Sequence, residues 1–182
     1  MRQRAALGFR AHSGWAAVVA VTGSMAEPIV LDRRRIVTAD PAVRGSKQPY
    51  HAAESLGVAE AEAFIARCRE SSTMLAKAAV SAIVAQLAAF EIAGAGLVEA
   101  SGRPLPGLAA ILASHALIHT AEGEFFRDVL VRAAGRLPIV RVKEKEIRDL
   151  QASLNHLGRT LGPPWTQDEK LASNAAWRAL AG

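Results

Sequence analysis

Residues 5–38 read AALGFRAHSGWAAVVAVTGSMAEPIVLDRRRIVT, three largely apolar stretches separated by two short turn-rich pieces. His12-Ser13-Gly14 and Gly23-Ser24-Met25 are spaced and composed as hairpin loops are, so 5–11, 14–22 and 28–38 read as successive strands of an antiparallel meander. The second stretch, with Val18, Val19 and Val21, is β-branched and almost wholly apolar, which suits a central strand buried on both faces. The third places Arg33, Arg34 and Arg35 between Leu31 and Ile36, so part of it must reach solvent, as on an edge strand.

Working outward, residues 40–49 hold two prolines and a glycine and form a linker. The period then changes. Over 51–69 and again over 72–90, Ala, Leu, Ile and Val recur at helical spacing, with Ser71-Ser72 as the expected break and Leu75, Ala79, Ile83 and Leu87 as a core stripe. A strand is expected over 92–100, with Glu99 near its end. It is followed by a helix from about 108 or 114 to 136, a strand over 137–142 and a helix over 145–161. After Gly162-Pro163-Pro164 comes a last helix over 167–180, for which Thr166 with Glu169 three residues on has the form of a capping box. Three hairpin-linked strands followed by two helix-linked strands give a mixed five-stranded α/β sheet with helices on both faces.

The 182 residues fit one domain, and 51% apolar against 21% charged residues is the composition of a chain that orders itself. Lys and Arg number 22 against 17 acids, for a net charge of +5, a mild bias toward polyanions. No block of like charges marks an interaction tail. The one cysteine, Cys68, makes no internal disulfide and is expected buried and inert. The amino-terminal stretch is interrupted by Arg10, His12 and Ser13 and lacks a signal-peptide h-region, and the apolar run 16–21 is too short to span a bilayer. A cytoplasmic protein without a membrane partner is the expectation.

This element order resembles the ribonuclease H-like superfamily, which includes the Holliday-junction resolvases and integrases, over nearly the whole chain. The resemblance implies a nucleic-acid-processing or nucleic-acid-binding role. It also implies carboxylates on the first strand, at the end of the fourth and on the last helix, together holding Mg²⁺ or Mn²⁺. Glu99 and Asp168, with Glu169 beside it, stand where that pattern places two of the metal-binding and catalytic acids. The first strand departs from it. Leu7-Gly8-Phe9-Arg10 puts Arg10 about where a resolvase carries its aspartate in a Gly-Ile-Asp-Pro-Gly stretch, and an arginine repels a divalent cation.

A second constellation lies in Ser114-His115-Ala116-Leu117-Ile118-His119-Thr120-Ala121-Glu122-Gly123. On a helix, His115, His119 and Glu122 share a face and are expected to hold Zn²⁺ or another transition metal, or to act as acid and base through His119 and Glu122. Gly123 inside that helix marks a close approach of backbone or ligand. The alternative functions are thus a metal- or small-molecule-binding protein, or a non-catalytic scaffold forming a homodimer through its sheet edge or last helix. There is no phosphate-binding loop and no nucleophile elbow, and Gly94-Ala95-Gly96 is not a dinucleotide fingerprint. Arg33 and Arg35 share a strand face from which they could meet phosphates. Trp15, Trp165 and Trp177 are assigned to packing.

Overall fold

The computed structural model describes residues 2–24, 26–100, 104–147 and 154–182. The opening meander forms as the turn chemistry demands: β1 (Gln3–His12), β2 (Trp15–Gly23) and β3 (Pro28–Val37) pair antiparallel in sequence. The first hairpin closes at His12↔Trp15 around Gly14, whose φ of 82° is readily available only to glycine. β4 (Phe90–Glu99) then lies parallel to β1, and β5 (Ile139–Lys143) parallel to β4, giving the order β3-β2-β1-β4-β5. β3 is an edge, and β2 is interior and buried on both faces.

The intervening helices depart from the expected breaks. α1 (Pro49–Ala53) is short, and α2 (Val58–Gln86) runs 29 residues straight through Ser71-Ser72. The two serines do not cap: Ser71 Oγ donates back to the Cys68 carbonyl at 3.2 Å, and Ser72 is fully buried. The real break falls at Gly57, whose extended backbone precedes α2. The buried stripe is correspondingly Ile65, Cys68, Ser72, Ala76, Val80 and Ile83, so Leu75, expected in the core, is instead exposed. The next helix is divided into α3 (Leu108–Leu112) and α4 (His115–Ala134). Of the helix expected over 145–161, α5 (Glu144–Ile147) and α6 (Leu157–Leu161) are helical, while 148–153 lie outside the described residues. α7 (Gln167–Ala181) completes the chain.

Strand alternation sorts the core into two layers. Leu7 and Phe9 of β1, Val18 and Ala20 of β2, and Ala95 and Leu97 of β4 pack with α2 and α4. Val19, Val21, Val98 and Val142 face the other way, onto α7. Gly8 and Gly96, paired in register across β1 and β4, let α7 come close: a Cβ on either would fall 1.8 Å from the Ala172 carbonyl oxygen or 1.9 Å from that of Ala175. α7 is therefore spent on the sheet and offers little of itself to a second copy. The sheet's two edges are β3 and β5, and on β3 the side chains of Ile29 and Val37 are exposed. Among the described residues no helix is long and apolar enough to cross a membrane.

Candidate functional site

The close seating of α7 fixes what meets at the carboxyl end of β1. α7 starts at a capping box: the Thr166 amide donates to Glu169 Oε2 at 2.7 Å, and the Thr166 hydroxyl accepts from the Asp168 amide at 3.3 Å. Burial acts to raise the Glu169 pKa, but the bonds from the Thr166 hydroxyl and amide outweigh it, and the carboxyl is held below its ordinary value. Stability drawn from a depressed acid is present above the unfolded-state pKa and lost as pH falls through the folded one. Thr166→Ala should cost about 1 kcal/mol in urea unfolding at neutral pH. Glu169→Gln should cost a similar amount, and its deficit against the parent should shrink as pH drops through the carboxylate range.

Beyond the cap, Asp168 turns toward β1. His12 Nε2 lies 2.9 Å from Asp168 Oδ1, and Arg10 Nε lies 3.8 Å from the same oxygen. The other side of the guanidinium bonds Glu144 Oε2 at 2.9 Å, so Arg10 sits as a cation between two carboxylates, all three about one-fifth exposed. Glu144 carries a further interaction besides this one. Glu99 stands elsewhere. Alternation puts it with Leu97 on the face covered by α2 and α4, where its Oε1 accepts from Arg141 at 2.7 Å, whereas Asp168 belongs to the α7 face. The expected pair of Glu99 with Asp168 is thus replaced by Glu144 with Asp168, because a one-residue step along β4 reverses the direction of the side chain. Glu169, the third acid expected here, is committed to its cap.

His12 also stacks on Trp15 with ring centroids 4.1 Å apart, and the Arg35 guanidinium lies 4.3 Å from the Trp15 ring. These contacts make Trp15 a packing residue, while its edge lines a groove of about 670 Å³ together with Val37, Asp40, Arg44 and Lys47. Arg33, which shares the face of Arg35, is not free for phosphate. Its guanidinium donates to the carbonyls of Leu161, Gly162 and Pro164, tying β3 to the chain entering α7.

No family model matches the sequence, and no curated protein does. Among solved structures seven chains match. One is T. thermophilus RuvC in complex with Holliday junction substrate, at a TM-score of 0.55 and 10% identity over 96% of this chain and 90% of that one. The fold is ribonuclease H-like. Its order of three antiparallel strands followed by two parallel ones, with α7 across the centre, is what brings the carboxyl end of β1 to the amino end of α7. Among the described residues, the divalent metal that the ribonuclease H-like fold implies does not fit. A guanidinium already lies between Glu144 and Asp168, and Glu99 is bonded to Arg141 on the other face. A divalent ion added beside Arg10 would meet its charge at close range.

On the opposite face of the ribonuclease H-like sheet, α4 carries a second cluster. His115 and His119, one turn apart, have their Nε2 atoms 3.0 Å from each other. His51 of α1 joins them, its ring centroid 4.8 Å from that of His119 and 5.5 Å from that of His115. Glu122, expected as a ligand, does not line the cluster from outside but lies beneath it, 3% exposed. Its Oε1 accepts from the backbone amides of Tyr50 at 2.9 Å and His51 at 3.1 Å and lies 3.2 Å from His51 Nδ1, so it caps α1 and holds the His51 ring. Burial raises its pKa, partly offset by these bonds from His51 and Tyr50. His51 was not foreseen, because nothing local in Pro49-Tyr50-His51 links it to α4. Gly123 makes room for the Arg127 guanidinium, 2.9 Å from where a Cβ would stand. Cys68 is buried, and burial pushes its thiol pKa up, which keeps it inert.

Proposed function

We propose that the chain is a nucleic-acid-binding protein built on the ribonuclease H-like scaffold, and that it does not cut its ligand by a carboxylate-held two-metal route. The observation that carries this reading is Arg10 between Glu144 and Asp168: it supplies from the chain the positive charge that a metal ion would otherwise bring. A guanidinium neutralises the two acids but offers no water-derived nucleophile and no vacant coordination position, so it preserves a binding surface while removing that cleavage chemistry. The nucleic-acid part is supported by the likeness to RuvC, whose solved complex holds a Holliday junction, and by the charge of +5. It is supported further by Arg44 and Lys47, both exposed, at the groove lined by Trp15, whose ring stacks on His12 beside Asp168. Two cations on a groove at the carboxyl end of a central strand suit a phosphate backbone better than a neutral ligand.

Fluorescence anisotropy with labelled single-stranded and four-way-junction DNA tests both halves. Binding should appear at about 50 mM salt and weaken steeply by about 200 mM. Combining Arg44→Glu with Lys47→Glu should weaken it about tenfold or more and flatten the salt slope by about 1 to 2. With Mn²⁺ added, the DNA should remain uncut. Absence of binding at low salt would remove the nucleic-acid reading, and Mn²⁺-dependent nicking would remove the non-cleaving one.

A further inference from the structure

Across the sheet from the Arg10 cluster, the three histidines form a group whose geometry and support are those of a metal centre. One ligand nitrogen from each of His51, His115 and His119 can be chosen so that all three lie within 4.8 Å of one another. Nitrogens bound to a single tetrahedral zinc ion at about 2.0–2.1 Å stand about 3.3 Å apart. The 3.0 Å between the Nε2 atoms of His115 and His119 is within a few tenths of an ångström of that spacing, and the separations from His51, no more than 4.8 Å, have at most about 1.5 Å to close on binding.

The second observation is Glu122. A buried carboxylate that takes the Nδ1–H of His51 fixes the tautomer in which Nε2 carries the lone pair, the arrangement in which metal-binding histidines are held by an acid behind them. That acid is itself locked by the Tyr50 and His51 amides, while its Oε2 is buried without a hydrogen-bond partner among the described residues. A buried charge built into the α1–α4 contact is costly, and two amides plus one ring orient it toward a single histidine. The ring so oriented meets two others that are exposed on the outer turn of α4. The local sequence supports this directly: Ser114 ends the extended link from α3, so that His115 opens α4 and His119 follows one turn on, with Glu122 on the same side but one turn deeper.

We infer that His51, His115 and His119 form a three-histidine site for a zinc-class divalent ion, with Glu122 as the residue that positions His51 and not as a ligand. Imidazole ligands select Zn²⁺, Co²⁺, Ni²⁺ or Cu²⁺ over Mg²⁺ and Mn²⁺, which prefer oxygen. Because His115 and His119 are exposed, the outer side of the ion stays open to water, as in sites that bind or activate a fourth ligand and unlike closed structural sites of four protein ligands. The site lies on the other face of the sheet from the Arg10 cluster and shares no residue with that cluster or with the groove.

The test uses untagged full-length protein, stripped with chelator and titrated with Co²⁺ by visible absorption and with Zn²⁺ by calorimetry. The expected result is one equivalent of each ion and a visible Co²⁺ band of the intensity that four-coordinate sites give. His115→Ala and His119→Ala change exposed side chains and should leave the circular dichroism and melting curve of the stripped protein unaltered. Each should weaken Zn²⁺ binding about 100-fold or more. Glu122→Gln, which keeps an acceptor for the amides, should weaken it about 10- to 100-fold, the loss usual for an outer-sphere partner. Absence of stoichiometric uptake by the parent, or uptake that survives the combined His115→Ala and His119→Ala change, overturns the assignment.

Discussion

Gly96→Val is expected to lower the stability of the protein by about 4 kcal/mol or to prevent folding, a larger effect than that of any other substitution named above. A Cβ at this position would fall 1.9 Å from the Ala175 carbonyl oxygen and 2.2 Å from its carbon, both backbone atoms of α7. Neither can move without lifting the helix off the sheet. Lifting it uncovers Val98 and Val142, which pack with Leu171 and Ala175, and strains the neighbouring contact of Gly8 with Ala172. Gly107→Ala is the control. It adds a single Cβ at a position with nothing within 4 Å and an ordinary negative φ, and should change stability by no more than about 1 kcal/mol. Urea unfolding of the two variants beside the parent measures both. A Gly96→Val protein as stable as its parent would mean that α7 does not lie on β1 and β4 as described.

The second large effect is expected at Arg10. Arg10→Ala removes the guanidinium that Glu144 and Asp168 both approach, and should cost about 2 kcal/mol. The group is about one-fifth exposed, so solvent screening keeps this below the cost of breaking a fully buried pair. The loss should be partly recovered by Mn²⁺ or Mg²⁺, because a small hard cation satisfies the same two acids. A melting temperature that rises on adding Mn²⁺ to the variant, and does not rise for the parent, is the expected pattern. The acids alone do not make a nuclease: Glu99 remains tied to Arg141 on the other face, so the variant should bind the ion without gaining rapid cleavage.

The sheet was largely legible because its rules are local. Turn residues at Ser13-Gly14 and Gly23-Ser24, apolar continuity in β2 and charge in β3 each follow from neighbours in sequence, and the capping box at Thr166 and Glu169 is a four-residue pattern. Ser71-Ser72 misled for a reason equally local, since serine caps helices but also bonds back to the preceding turn, and only burial against the β-sheet and α4 decides which. The sites were half legible. His115 and His119 announce themselves by helical spacing, and Asp168 by its place at the start of the last helix. His51, Glu144 and Arg141 do not, because each reaches its partner only after the sheet has closed. The role of Glu122 turned on one turn of depth: a carboxylate three residues beyond His119 points inward at the base of α1, not outward beside the imidazoles.

At the heart of the functional reading, a guanidinium fills the cation position between Glu144 and Asp168. Calorimetric titration of Mn²⁺ into the parent and into Arg10→Asp, both carrying His115→Ala and His119→Ala to silence the other cluster, addresses it most directly. No Mn²⁺ uptake is expected while Arg10 is in place, and uptake of about one equivalent is expected in the Arg10→Asp variant, where an acid replaces the guanidinium beside Glu144 and Asp168. Mn²⁺ bound equally well by the protein that keeps Arg10 would contradict this.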